Sequence, residues 1–98
     1  LEPGWLGYTW RRLVYTRHAE ERMRERGIGR EEVEEALREP LQILYDRGND
    51  VYLVLGSNDV AVVVANRVSY AEIVTVLRRK EYEALVGRLG RKRYRAIL

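Results

Sequence analysis

His18, Arg22 and Arg26 follow one another at intervals of four residues. On a helix that spacing puts all three on one face, with neighbouring Cβ atoms about 5–6 Å apart. The stripe joins one group able to move a proton near neutral pH to two fixed cations. Cleavage of RNA by its own 2′-hydroxyl calls for those types: a base for the hydroxyl, an acid for the leaving oxygen and donors for a charged phosphate. His18 suits the role of base or acid. Arg22 suits that of phosphate holder. Tyr15, Tyr45 and Tyr94 are unranked candidates for the second proton-transfer group.

Each of these residues also has an ordinary reading. A histidine near a helix start often serves packing and hydrogen bonding alone, and spacing by itself favours that role for His18. Arg22 and Arg26 can equally pair with Glu21, Glu25 or acids of a second helix, the usual fate of mixed-charge helices.

The elements that must position the stripe are marked by their ends. Tyr8 to Tyr15 is aromatic and β-branched, which fits a first strand. Thr16 is a candidate N-cap for a helix over Arg17–Arg26. Gly27 stands where a left-handed residue ends that helix, with Ile28 set to touch Met23. A second helix follows with Gly29 as its N-cap. Ile28 and Val33 form its staple, Glu31 and Glu32 occupy its first turn, and Arg38 its last. Val33, Ala36 and Leu37 make its buried stripe, and Pro40 ends it.

After Pro40 the period changes. Leu41–Asp46, Val51–Gly56, Val60–Ala65 and Glu72–Leu77 are short apolar runs separated by turn-rich residues. Connections so short favour antiparallel hairpins. The expected fold is therefore α+β: an N-terminal strand, two short helices, a mostly antiparallel four-stranded sheet and a basic C-terminal helix or tail. Residues 1–98 read as a single domain with its core over about 8–78. Val51–Leu55 and Val60–Ala65 are apolar on both faces. A sheet with water on one side should alternate, so the C-terminal segment, a partner chain or both must cover the second face. Lys80 to Leu89 is weakly helical, with Tyr82, Leu85, Val86 and Leu89 on one side and Gly87 and Gly90 against it.

Composition narrows the function classes. Zero cysteines remove disulfides and thiolate chemistry, and a single His argues against a structural zinc site, so no metal or other cofactor is expected. No apolar run approaches a membrane span, and Leu1–Trp5 lacks the basic start and apolar core of a signal peptide. A cytoplasmic protein is expected, with no membrane partner. Sixteen Arg against two Lys, with one Gln and three Asn, suits a thermophile, although Arg preference also follows from a GC-rich genome. Residues 78–98 hold eight Lys and Arg against two Glu. That basic end suits an anionic partner such as RNA, with Tyr94 stacking on a base. Its ordinary reading is a solvated, frayed terminus.

The stretch Tyr15-Thr16-Arg17-His18-Ala19, then Arg22-Met23, Arg26-Gly27-Ile28, Glu31-Glu32-Val33, Ala36-Leu37 and Pro40, resembles a family of short prokaryotic chains known only as a domain of unknown function. Ile73-Val74-Thr75-Val76-Leu77 is similar to that family's C-terminal half, and the likeness covers roughly residues 14–78. Such chains resemble the RelE-like toxins and their wider class of small metal-independent ribonucleases. The resemblance implies His18, Arg22 and Thr75 as catalytic positions. Thr75 also has a reading of its own. Among apolar neighbours its hydroxyl must find a partner or face a site, unless the residue is there for strand propensity alone.

The expected function is that of a toxin from a toxin–antitoxin pair, cleaving RNA or ribosome-bound mRNA to inhibit translation. Arg26, Arg78, Arg79, Arg91, Arg93, Tyr94 and Arg95 are the expected RNA contacts. The alternative is a non-catalytic protein-interaction module, with a homodimer as one form of it, built on the doubly apolar strands. Reading residues 16–39 as a helix-turn-helix fails on charge. Glu31, Glu32, Glu34 and Glu35 would line the helix entering the major groove, where phosphate repels them.

Overall fold

The computed structural model describes residues 12–90 and 92–98. Strand β1 (Arg12–Tyr15) leads into helices α1 (Arg17–Arg26) and α2 (Arg30–Arg38). Strands β2 (Pro40–Asp46), β3 (Val51–Gly56), β4 (Val60–Asn66) and β5 (Tyr70–Arg78) follow as a meander. Helix α3 (Arg79–Leu89) and strand β6 (Tyr94–Ala96) complete the order. The part of the expected first strand before Arg12 lies outside the described residues.

The helix pair forms as its caps direct. The Thr16 hydroxyl accepts from Ala19 N–H at 3.0 Å. Gly27 is left-handed at φ 66°, and Ile28 N–H donates to Met23 O at 2.9 Å, closing α1. The Glu32 carboxylate reaches back to Gly29 N–H at 2.9 Å to open α2.

The sheet has six strands in the order β1-β5-β4-β3-β2-β6, not the expected four. The two further members lie at its margins: the expected N-terminal strand, now part of the sheet, and β6, which was not expected. β1 pairs with β5 in parallel, the one parallel pairing among the described strands, and β6 pairs antiparallel with β2. The basic end is thus a helix followed by a strand. One core packs α1 and α2 on the first face, through Ala19, Met23, Val33 and Leu37 against Val54, Val62 and Ile73. The second core lies beneath α3, with Tyr82 and Tyr94 against Leu44, Leu53, Leu55 and Ala61. The doubly apolar strands β3 and β4 are therefore covered on the first face by the helix pair and on the second in part, by the chain's own C-terminal segment. Tyr82, Leu85 and Val86 are the α3 residues that pack there; the Leu89 side chain lies outside the described set.

One irregularity matters for the site. Val63 pairs with Thr75, and Val64 with Ile73, which leaves Val74 as an extra residue in β5. Such a bulge breaks the alternation of faces. Ile73 and Val76 both reach the first core, while Val74 packs against the second.

Candidate functional site

α3 does not cover the whole second face. Beside it, at the end of the sheet where β2 and β4 finish and β3 and β5 begin, lies a cleft of about 550 Å³. Val51, Leu53, Val63 and Val74 form its floor. Leu85 and Tyr94 close the α3 side, and Thr16, Thr75, Asp46 and Glu72 supply polar edges. Thr75 enters this cleft because of the bulge: its partner Val63 belongs to the same face. Thr75 thus lines the cleft, half-buried.

Thr16 ties α1 to the same place. Its backbone N–H donates to Ile73 O at 3.1 Å, and its hydroxyl to Val74 O at 2.9 Å. The first turn of α1 is therefore pinned beside the bulge, with the positive end of the helix dipole at that point. His18 lies two residues beyond Thr16, exposed and with no hydrogen-bond partner among the described residues. Arg22 is half-buried and donates to Glu25 at 2.7 Å.

The third member of the stripe has a different task. Arg26 grips Glu81 with both arms of its guanidinium, one bond measuring 2.7 Å. Glu81 also accepts from Arg78 N–H at 2.9 Å, and the Arg78 side chain donates to Arg26 O at 2.7 Å. These bonds join the C-terminus of α1 to the N-terminus of α3. The Arg26 fork, then the Arg78 N–H and the charge of Arg22, hold the Glu81 carboxyl at about 2 against partial burial.

Most of the other cations expected to meet RNA are engaged within the chain. Arg79 pairs with Asp59 at 3.1 Å and Glu83 at 3.0 Å. Arg93 donates to Asp46 at 2.9 Å. Arg95 is exposed, with its guanidinium 5.7 Å from the Tyr45 ring centre. Tyr94 is buried in the second core rather than presented on the surface. Arg91 lies outside the described residues.

Asp46, absent from the sequence candidates, is a buried carboxylate at the cleft edge. Burial works to raise its pKa, but Arg93 and the N–H groups of Gly48 and Asn49 outweigh it and bring the value below normal. The usable signal was an acid closing an apolar run just before a glycine turn. Of the three tyrosine candidates, Tyr94 lines the cleft. Tyr15 packs in the first core, under Arg30 at 4.4 Å, with its hydroxyl buried and unbonded. Tyr45 donates to Asp50 at 2.6 Å.

The described residues define a mixed α+β sheet protein with helices on both faces and a partly open second face. Residues 15–78 match the model of DUF4258, a domain of unknown function, and the chain belongs to that family. No curated protein and no solved structure matches it. No helix among the described residues is long and apolar enough to cross a membrane.

Proposed function

We propose that the chain cleaves RNA without a metal ion, as a RelE-like toxin that inhibits translation, with His18, Arg22 and Thr75 as its working residues. One observation carries this reading. His18 is exposed and free of partners one turn before Arg22, and two residues beyond Thr16, which lines the cleft with Thr75.

The RNA's 2′-hydroxyl is the nucleophile. Its oxygen bonds to the adjacent phosphorus while His18 takes its proton. The bond from phosphorus to the 5′ oxygen breaks, leaving a 2′,3′-cyclic phosphate and a 5′-hydroxyl. Arg22 and the start of α1 balance the charge that grows on the phosphate. Thr75 donates a hydrogen bond inside the cleft. The departing oxygen takes its proton from Tyr94, which lines the cleft and carries its proton at neutral pH as tyrosines do. Ribosome-bound mRNA and a neutralising antitoxin are the partners this reading calls for.

A second reading, a non-catalytic interaction module, is favoured by Leu41, Ile97 and Leu98, large apolar residues left exposed around the β2–β6 margin. Growth after tightly induced expression separates the two. Arrest by the native chain, relieved by His18→Ala at equal folded yield, is the expected result. Healthy growth with both, at good soluble yield, rejects the toxin in favour of the module.

A further inference from the structure

Strand β6 ends the sheet order, and its outer side has no strand beside it among the described residues. The register fixes which backbone groups face outward. Arg47 N–H bonds to Arg93 O at 3.1 Å, and Ile97 N–H to Ile43 O at 2.8 Å. In an antiparallel ladder, hydrogen-bonded positions alternate with outward-facing ones. Tyr94 and Ala96, between those inward positions, therefore turn their N–H and C=O groups away from β2. An edge of this kind is a template for another strand.

Two features surround that template. Arg88, Lys92 and Arg95 are exposed, and none has a carboxylate partner among the described residues. Ile97 and Leu98 are 41% and 60% exposed beside them, with Leu41 at 53% on β2. On the inner side of the edge runs an apolar groove of about 530 Å³, lined by Leu44, Val86, Gly87, Tyr94 and Ala96. Gly87 stands inside α3, where glycine weakens a helix. Its backbone is not left-handed, and a Cβ there would meet nothing within 4 Å. Nothing within the described chain requires glycine at this position, yet its missing side chain keeps the groove open.

We propose that the β6 edge receives an extended, acidic and apolar segment of another protein as a seventh strand. Its backbone pairs with Tyr94 and Ala96, its carboxylates meet Lys92, Arg95 and Arg88, and an apolar side chain enters the groove. A second copy of this chain is disfavoured, because two-fold pairing of β6 would press the two sets of cations together. RNA would use the cations but leave the exposed apolar residues and the edge amides unanswered. This surface meets the cleft at Tyr94, which lines both, but it uses the Tyr94 backbone rather than its hydroxyl, and the inference holds whether or not the chain cleaves RNA.

The test uses the full chain and a fluorescent peptide of alternating valine and glutamate, followed by anisotropy. Saturable binding is expected, weakened by salt, and at least about tenfold tighter than for the matching valine–lysine peptide. Ala96→Pro removes one outward donor, and no bond to β2, so it should abolish binding while thermal unfolding stays close to native. Lys92→Glu combined with Arg95→Glu should reverse the peptide preference. The proposal is overturned if no saturation occurs by about 1 mM. It is equally overturned if the two peptides bind alike, or if polyuridylate displaces the acidic peptide. A native dimer that Ala96→Pro splits would assign the edge to a second copy instead.

Discussion

The two faces of the sheet are built by different means. On the first, two helices with local caps lay down a continuous core in which Val33, Ala36, Leu37, Val54, Val62 and Ile73 are almost fully inaccessible. On the second, one helix with a glycine in its interior covers only part of the sheet, and a cleft and a groove that meet at Tyr94 remain beside it. The first face is organised for stability, whereas the second leaves apolar sheet surface in reach of ligands. A single domain can divide labour in this way because each face of a sheet is packed independently.

The sharpest way to break this contrast is to truncate one side chain on each face. Leu37→Ala should cost about 2–5 kcal/mol, because a fully buried leucine leaves a cavity that its neighbours fill only in part. Urea denaturation would read it, and a loss under about 1 kcal/mol would contradict the picture of a tight first face. Asp46→Ala should cost about 2 kcal/mol, since it strips Arg93 and the Gly48 and Asn49 amides of their acceptor. Leu85→Ala, at the half-open wall of the cleft, should cost only about 1 kcal/mol. If it matched Leu37→Ala, the two faces would be equivalent after all.

Acid should act mainly through contacts of the second face and of α3. Asp46 and Glu81 both titrate below their ordinary values in the folded chain. Their stabilisation is therefore complete above the unfolded carboxylate range and is lost as pH falls through the folded values. For Glu81 that window runs from about 4.5 down to about 2. Thermal unfolding followed by circular dichroism should show a falling Tm across it, and Arg26→Gln should flatten the fall.

What the sequence disclosed follows the range of the interactions. The helix pair was legible because Thr16, Gly27, Gly29 and Glu32 act on neighbours a few residues away. The four central strands were legible from apolar runs between turns. β6 was not, because three residues carry no pattern and the strand exists through its pairing with β2. The site divides likewise. Helical spacing placed His18 and Arg22 on one helix, but it gave no hint that Arg26 is held by Glu81, 55 residues later. Nor did it show that Arg93 serves Asp46, 47 residues earlier. The route of Thr75 into the cleft depends on one skipped residue, Val74, which no local signal announces.

The parallel pairing of β1 with β5 joins Arg12–Tyr15 to Tyr70–Ile73 across most of the chain. A contact so distant closes a long loop, and such contacts form late. During synthesis α1 and α2 leave the ribosome well before the strand that pins Thr16 to Val74 has been made. The helix bearing His18 therefore waits for its partner strand, and the cleft beside it takes shape only after β5 has been made. Whatever the cleft binds, it can bind only once Val74 has joined the fold.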